Sequence, residues 1–532
     1  MQRRKFLTVS ATGLGATLLP ANILRADEAG QTLYNGIRLP ATWPPRVDKL
    51  TLEPMSVPYL QSPPAVIPID VGRQLFVDDF LIAQTNLRRT LHQTTWHPAT
   101  PVLRPDQKHE MTGDSPCAMV FSDGVWFDPR ENLFKMWYMG GIVRSTCYAT
   151  SRDGIAWTKP QLDVVPGTNI VHNGFRDSTT VWLDLDEQDP KRRYKLWRSI
   201  RHKPWNLALH FSPDGIHWSE PGLISGTCGD RTTCFYNPFR RIWVYGLRAD
   251  APGRCRAYRE HADVVQANSW QPNERPLWVG ADRLDPARAD LKTQPQLYNL
   301  DCVAYESILL GLFSIWRGQP TDRAKPNEVV AGYSRDGFHW HRPDRGALIP
   351  VSERHGDWNW GNVQSAGGCC LIVGDQLWFY VSGRAGIKGR TTSGVCTTGL
   401  ATLRRDGFAS MDAGNTEGTL TTRPLRFRGR HAFVNVDCPE GELRVEVLNE
   451  QGKPIAPFTK DNCTPIRANR TLQVVQWKGA ENLAAVAGQT VKLKFYLTNG
   501  KLFAFWVSPE TSGSSHGYVA AGGPRYRGHL DR

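Results

Sequence analysis

The sequence SRDGIAWTKP, residues 151–160, is a short turn that occurs three times in the chain. It returns as SPDGIHWSEP from Ser212 and as SRDGFHWHRP from Ser334. In each copy an Asp-Gly pair turns the chain, a Trp supplies a large apolar anchor, and a Pro ends the run. Recurrence of one unit along a chain is the signature of a repeat architecture.

The spacing of the Asp-Gly pairs predicts the number of repeats. The interval from Asp214 to Asp336 is twice that from Asp153 to Asp214, so a degenerate copy is expected between them, around HADVVQANSWQPNERP. A further copy, RRDGFAS, places Asp406 after Asp336. Within each unit, alternating aromatic and β-branched runs are separated by turn residues, which is typical of antiparallel hairpins. Five units of about 60 residues with four strands each predict a five-bladed β-propeller.

We therefore predict an all-β fold, a five-bladed β-propeller followed by a C-terminal β-sandwich. The propeller is assigned to residues 71–410 and the sandwich to 411–508, where HAFVNVD, ELRVEVLNE and VKLKFYLTN alternate as two-faced strands do. The Pro-rich residues 27–70 are expected to run extended over the surface. The Gly/Ser/Arg-rich residues 509–532 are expected to form a loose tail.

The N-terminus resembles a twin-arginine export signal. The run RRKFL at residues 3–7 precedes a mild Ala/Gly/Leu/Thr stretch, and cleavage is expected near residue 26. We predict that residues 1–26 are a signal peptide and that the protein works in the periplasm or outside the cell. Beyond this segment no apolar run is long enough to span a bilayer, so no transmembrane segment is predicted.

The charge balance favours an anionic partner. The chain has 64 Lys and Arg against 51 Asp and Glu, a net charge of +13 that falls to +9 without residues 1–26. For an exported protein this favours an acidic or sulfated glycan. The charge forms no long block and no nucleic-acid-binding motif is present, so nucleic acid is not expected. The eleven cysteines and the histidines show no metal-ligand spacing, and no dinucleotide or phosphate-binding motif occurs, so neither a metal nor a cofactor is predicted.

Carboxylates at the start of successive blades are the candidate chemistry. A propeller points the first strand of each blade at its central channel, so ligands collect at one mouth. Asp114, Asp177 and Asp301 precede their Asp-Gly turns by similar distances, and the third blade offers Asp230 in GDRTTCFY. Cleavage of a glycosidic bond needs such a group, because one carboxyl must donate a proton while another, ionised, attacks or activates water.

At FRDS, residues 175–178, the chain resembles the furanosidase superfamily that holds glycoside hydrolase families 32, 43 and 68. In family 32 an Arg-Asp-Pro motif on the second blade carries the aspartate that stabilises the transition state. Here Arg176 and Asp177 match, and Ser178 replaces the proline. The resemblance implies that Asp114 is the first-blade nucleophile or base. The family's Asn-Asp-Pro-Asn and Glu-Cys motifs have no match.

The missing Glu-Cys motif leaves the proton donor open among Asp230, Glu306 and Glu110. Arginines beside the acids would either bind the carboxylate or sulfate of an acidic sugar in two-pronged fashion or neutralise the acids. The candidate catalytic residues are Asp114, Asp177, Asp230, Asp301 and Glu306. The candidate substrate-binding residues are Glu110, Arg176, Arg231, Asn299, Asn362 and Gln364.

The leading hypothesis is an exported glycoside hydrolase that acts on a poly- or oligosaccharide. A second hypothesis is a non-catalytic carbohydrate-binding propeller on the cell surface, which the missing Glu-Cys motif supports. A third is a sialidase-like enzyme. Sialidase turns carry an additional residue between Asp and Gly that is absent from the turns of this chain.

Overall fold

The computed structural model describes residues 30–201 and 205–532. Within these ranges the chain is nearly all β, and its α-helices are two single turns, α1 (Pro58–Gln61) and α2 (Val264–Ala267). No helix of this part of the chain is long and apolar enough to cross a membrane. The predicted twin-arginine signal lies outside the described residues.

The N-terminal part of the chain, up to residue 96, contributes short strands to sheets formed later in the chain. Before it enters them, it lies along the third sheet, where Val47 forms a β-bridge with Leu277. Its strands are β1 (Ile67–Pro68), β2 (Gln74–Leu75), β3 (Ile82–Thr85), β4 (Arg88–Leu91) and β5 (Thr95–Trp96).

Three antiparallel sheets of four strands follow, each made from consecutive strands. The first contains β6 (Ala118–Asp128), β7 (Leu133–Gly140), β8 (Ser145–Ser151) and β9 (Ile170–His172). The second contains β10 (Thr179–Leu183), β11 (Tyr194–Ile200), β12 (Asn206–Ser212) and β13 (Leu223–Ile224). The third contains β14 (Thr233–Asn237), β15 (Ile242–Ala249), β16 (Cys255–His261) and β17 (Leu277–Val279).

Two further sheets complete the series. The fourth contains β18 (Gln296–Glu306), β19 (Ile308–Trp316) and β20 (Glu328–Ser334). The fifth contains β21 (Asn362–Gln364), β22 (Leu371–Val373), β23 (Gln376–Arg384) and β24 (Cys396–Arg404), and the N-terminal β5 pairs with the outer side of β24.

The repeated Asp-Gly turns share one local mechanism. The carboxylate of Asp153 accepts hydrogen bonds from the backbone N–H groups two and three residues on, both at 2.8 Å, and Asp214 and Asp336 do the same. Gly154 then takes a φ of 74°, which disfavours any side chain. Asp263, in the stretch where a degenerate copy was expected, caps α2 with an equivalent pair of bonds.

These turns also join neighbouring sheets. In three of them a backbone carbonyl accepts a hydrogen bond from an aromatic side chain of the preceding sheet. The pairs are Trp137 with Gly215 (2.7 Å), Trp278 with Phe338 (2.7 Å) and Tyr380 with Gly154 (2.6 Å). The last pair connects the fifth sheet to the first, so the row of sheets is closed.

The first strands of the sheets lie side by side at the centre. Strand β6 contacts β10, β10 contacts β14, and β14 contacts β18, while β23 and β24 of the fifth sheet contact β6. One apolar core, rich in Trp, Tyr and Phe, continues through all five sheets. All eleven cysteines are buried and unbonded, as small apolar core residues are.

The C-terminal strands form two sheets and, with β1, a separate parallel pair around a second apolar core. They are β25 (Ala409–Ala413), β26 (Gly418–Thr422), β27 (Leu425–Arg426), β28 (His431–Asp437), β29 (Glu442–Leu448), β30 (Asn469–Val474), β31 (Lys492–Thr498) and β32 (Gly500–Ser508). One sheet has the order β30-β28-β32-β25-β4, with β2 also on β32, and the other has the order β29-β31-β26-β3.

Residues 509–532 pack against the ring of sheets, whereas the sequence suggested a loose tail. Strand β33 (Tyr518–Val519) pairs with the end of β18. Ala521 accepts a hydrogen bond from the backbone of Phe127 at the end of β6 and donates one to Cys370, both at 3.0 Å. The segment therefore covers the end of the ring where β6 and β18 finish.

Candidate active site

Arg231 lies just before β14 and is the centre of the candidate site. It is 1% exposed, and its Nη2 donates a hydrogen bond to Oε1 of Gln364 in β21 at 2.8 Å. Its Nε and Nη1 have no hydrogen-bond partner among the described residues. Burial lowers the pKa of this guanidinium, and four acidic groups oppose that effect. They are Tyr298, Asp177, Asp301 and Asp230.

Asp177 is the least engaged of these carboxyl groups. It precedes β10, is half-buried, and receives no side-chain hydrogen bond from any residue that the structure describes. Burial raises its pKa above the usual range, and Asp230 adds to that rise, whereas Arg231 opposes it. Asp177 therefore favours the protonated form more than an exposed aspartate does.

Asp230 has the opposite electrostatic character. Its carboxylate forms an ion pair with Arg248 of β15. Although burial raises its pKa, the hydrogen bond and charge of Arg248 outweigh that effect and hold the pKa below its usual range. Two neighbouring carboxyl groups thus differ in the protonation state that their surroundings favour, the pattern that separates an acid from a permanently ionised group.

Asp301 lies deeper, on β18. It is 2% exposed, and its Oδ2 accepts hydrogen bonds from Oγ of Ser365 at 2.6 Å and from Nδ2 of Asn299 at 2.7 Å. Burial raises its pKa to about 6, against the lowering effects of Ser365 and Arg231. This carboxyl group is held in place by neutral donors, so it can change its protonation state near neutral pH.

An irregular stretch of β6 fills the middle of the ring. Met119 pairs with Met139, but the next pair is Gly124 with Trp137, so residues 120–123 leave the ladder as a wide bulge. The backbone of Gly367 approaches this bulge so closely that a Cβ there would lie 2.8 Å from the carbonyl oxygen of residue 123.

The bulge places two side chains in the site. Asp123 receives a two-pronged ion pair from Arg176, with N–O distances of 2.5 and 2.9 Å. Phe121 lies under Arg231, whose Cζ is 3.8 Å from the ring centroid, and near Arg384. Arg176 is therefore committed to Asp123 and is fully buried, whereas Arg231 keeps free donors.

Neutral polar residues continue the inner surface. Nε2 of Gln364 donates to Oδ1 of Asn362 at 2.7 Å, and Nδ2 of Asn362 donates to the carbonyl of Lys325 at 2.8 Å. Asn299, which holds Asp301, also donates to Oγ of Ser122 in the bulge at 3.2 Å. These amides fix the positions of charged neighbours.

The site carries more cationic than anionic side chains. Arg256 of β16 is fully buried, and burial, reinforced by Arg231, lowers its pKa to about 9. Lys325 and Arg384 are half-buried at the same centre, and Nε of Arg384 is buried without a partner among the described residues. This excess of positive charge favours an anionic ligand.

Three of the predicted site residues are engaged elsewhere. Asp114 lies on an exposed loop before β6 and pairs with Arg390 at 2.7 Å. Glu110 is buried in a capping box, where it accepts bonds from Tyr138 and Lys159. Both carboxylates are therefore engaged by partners other than Arg231.

Glu306 is the last residue of β18 and lies at the opposite end of that strand from Asn299. Its carboxylate pairs with Arg405 at 2.9 Å and accepts a bond from Oγ of Ser515 at 2.6 Å. It also accepts the backbone N–H of Arg73 at 3.1 Å. Glu306 therefore joins the ring of sheets to the C-terminal segment, which is a structural role.

An aromatic surface borders the opening beside Asp177. Phe175 is exposed, and its ring centroid lies 6.1 Å from that of half-buried Trp205. The guanidinium of Arg201 lies 5.3 Å from Phe175 and 5.2 Å from Trp205. Such a surface suits the apolar face of a sugar ring.

The structure brings together the predicted residues Asp177, Asp230, Asp301 and Arg231, along with groups that the sequence did not single out. Asp123 and Tyr298 lie on β-bulges, which leave no mark in an alternating pattern. Arg256, Lys325 and Arg384 resemble ordinary surface cations in the sequence. Within the described ranges, no group of three His, Cys, Asp or Glu residues could hold a metal ion.

No protein-family model and no curated protein matches this chain. An N-acetylgalactosamine deacetylase from F. plautii is 13% identical, with 64% of this chain and 97% of that one covered at a TM-score of 0.39. A glycoside hydrolase family 43 arabinoxylan arabinofuranohydrolase from Bacillus subtilis is 11% identical, with 77% and 98% covered at 0.33. A β-fructofuranosidase from Schwanniomyces occidentalis is 9% identical, with 82% and 98% covered at 0.35. These likenesses are distant, and they assign neither a family nor an activity to the chain.

Proposed function

We propose that the protein is an exported glycoside hydrolase that cleaves an anionic poly- or oligosaccharide at the centre of the ring. The observation that carries this proposal is the convergence of Asp177, Asp230 and Asp301, from three different sheets, on the single buried Arg231. Their surroundings favour different protonation states, and glycosidic cleavage needs one protonated and one ionised group.

Asp177 is the general acid in this proposal. Its raised pKa keeps a larger fraction protonated near neutral pH, and it is half-buried at the opening, where a leaving oxygen can reach it. Asp230 stays ionised, because the charge and hydrogen bond of Arg248 hold its pKa low. Its negative charge stabilises the positively charged, oxocarbenium-like transition state.

The unpartnered donors of Arg231 are the proposed contact for the substrate's anionic group. Nε and Nη1 are charged N–H donors of the kind that a carboxylate or a sulfate accepts. Lys325 and Arg384 add positive charge on either side. Phe175 and Trp205, at the opening, supply the platform for a neighbouring sugar.

The proposal includes the finer organisation of the chain. The five sheets are taken as blades of a five-bladed β-propeller over residues 71–410, which the closed row of docked turns supports. Residues 411–508 are taken as a β-sandwich domain. Residues 1–26 are taken as a twin-arginine signal, which would place the mature protein in the periplasm or outside the cell.

The test is a screen of the mature protein against neutral, uronic and sulfated oligosaccharides, with Asp177→Asn as the matched variant. We expect release of new reducing ends from an acidic oligosaccharide by the wild type, and loss of that release in the variant. Retained cleavage in Asp177→Asn would refute the assigned acid.

The alternative is a carbohydrate-binding protein without catalysis. It is favoured by the pairing of Asp123 with Arg176 and of Asp230 with Arg248. A carboxylate held in an ion pair is suited to fixing a ligand and is a weaker nucleophile or base than a free one. Binding of an acidic oligosaccharide by calorimetry, with no cleavage of any substrate in the panel, would select this alternative.

A further inference from the structure

Tyr298 is placed at the candidate site by an irregularity of β18. Leu297 pairs with Ile315 and Asn299 pairs with Ser314 in the neighbouring strand β19, so Tyr298 is an additional residue without a partner. Such a bulge redirects a side chain that a regular strand would place elsewhere. Here Tyr298 and Asn299 both belong to the surroundings of Arg231.

Cations from three sheets surround the Tyr298 ring. Nζ of Lys325 lies 4.8 Å from the ring centroid, and Cζ of Arg254 and of Arg231 lie 5.2 and 5.5 Å away. Arg384 also acts on the phenol. Tyr298 is 7% exposed, so water screens these charges far less than it would at a surface.

The ionisation of Tyr298 differs from that of every other tyrosine. Burial raises its pKa, but Lys325, Arg231 and Arg384 together lower it further, so the net pKa lies below the usual 10.0. The other tyrosines of the chain, fourteen in number, all have raised pKa values, as burial alone dictates. They are Tyr34, Tyr59, Tyr138, Tyr148, Tyr194, Tyr236, Tyr245, Tyr258, Tyr305, Tyr333, Tyr380, Tyr496, Tyr518 and Tyr526.

The carboxylates of the site already have other commitments. Asp123 and Asp230 are paired with arginines, and Asp301 is held by Ser365 and Asn299. Asp177, which is free, favours its protonated form and is the proposed acid. An activated tyrosine is an established type of nucleophile in glycosidic cleavage, so Tyr298 joins these carboxylates as a candidate for the attacking group.

We propose that Tyr298 is the nucleophile of this site, on a substrate whose anionic group binds Arg231. The proposal rests on the proposed function. Tyr298 gives its proton to solvent before the reaction. Its Oη then bonds to the anomeric carbon while the bond from that carbon to the glycosidic oxygen breaks, and Asp177 gives its proton to that oxygen. In the second step the Asp177 carboxylate takes a proton from water, the water oxygen bonds to the anomeric carbon, and the bond to Tyr298 breaks.

The first test needs no substrate. The ultraviolet absorbance of phenolate is recorded against pH for the wild type, Tyr298→Phe and Tyr380→Phe. We expect the first tyrosine to ionise below the pH of free tyrosine in the wild type and in Tyr380→Phe, and this step to be missing in Tyr298→Phe. Tyr380 is the control because its hydroxyl binds a turn carbonyl far from the ring's centre. An unchanged first ionisation in Tyr298→Phe overturns the proposal.

The second test uses the oligosaccharide that the wild type cleaves. We expect Tyr298→Phe to lose roughly 10³-fold or more in kcat, as removal of a nucleophile does. In Tyr298→Gly, sodium azide should restore cleavage and yield a glycosyl azide. If Tyr298→Phe cleaves normally, the nucleophile assignment fails and the proposed hydrolase stands. If the wild type cleaves nothing in the panel, the proposed function fails, and the role of Tyr298 fails with it.

Discussion

The outer turns and the centre of the ring come from the same repeats, yet they use aspartates in opposite ways. At the turns, burial would raise the pKa of Asp214, but His217 and backbone N–H donors hold it at about 2. At the centre, Asp177 lacks such donors and Asp301 has only neutral ones, and burial raises both pKa values. Hydrogen-bond donors therefore separate carboxylates that shape the chain from carboxyl groups that can exchange protons.

The largest expected effect is on activity at the centre. Asp177→Asn removes the proposed proton donor without changing its size, so kcat should fall by roughly 10²–10⁴-fold while the fold is kept. Reducing-end release and circular dichroism measure the two properties. Asp114→Asn is the control, because its exposed ion pair with Arg390 leaves the centre untouched. An equal loss in Asp114→Asn would restore Asp114 to the catalytic role that the family resemblance implied.

The second effect is on stability at an outer turn. Trp340 is 2% exposed and contacts Trp278 of the preceding sheet. Trp340→Ala should lower the free energy of unfolding by about 3–5 kcal/mol, measured in urea. Trp218→Ala should lose less, since Trp218 is only partly buried. Equal losses at the two positions would contradict the packing described for these turns.

The sequence predicted the regular part of the molecule well, because a repeat fixes both the turns and the start of each first strand. That regularity located Asp177, Asp230 and Asp301. Spacing alone grouped Asp114 with these three residues. In the structure Asp114 lies on the exposed loop before β6 and pairs with Arg390. The position of a residue in the chain predicts its place on a strand or loop. The partner of its side chain depends on loops from other sheets, which the spacing does not record.

Irregular features account for the rest of the site. The bulge at residues 120–123 places Asp123 against Arg176, and the bulge at Tyr298 places a phenol among cations. Both depend on how two strands match in length, which an alternating pattern does not record. The cations Lys325 and Arg384 reach the site from connections or strand ends, so only the assembled ring shows that they share a centre.

A third, intermediate effect is a pH dependence at the centre. The folded-state pKa of Asp301 is about 6 against an ordinary 3.8, so folding favours its protonated form. The stability that this group contributes is full below pH of about 4 and is lost as pH rises through about 6. Relative to Asp301→Asn, the wild type should lose roughly 3 kcal/mol over this range, measured by denaturant unfolding. A difference that stays constant with pH would contradict the raised pKa.

The smallest effect is the loss of one turn aspartate. Asp153→Ala removes an acceptor for two backbone N–H groups that are exposed to water, so the free energy of unfolding should fall by about 1 kcal/mol. Asp336→Ala should lose more, because Asp336 is buried and water does not replace the missing bonds. Thermal unfolding of both variants measures the difference. The reverse order would show that burial does not govern these turns.

The C-terminal segment covers one end of the ring. Its strand β33 pairs with the end of β18, and Ala521 bonds to the end of β6. Under the proposed function, a glycan therefore approaches the site from the other end of the ring. Its products leave by the same end, where Phe175 precedes β10.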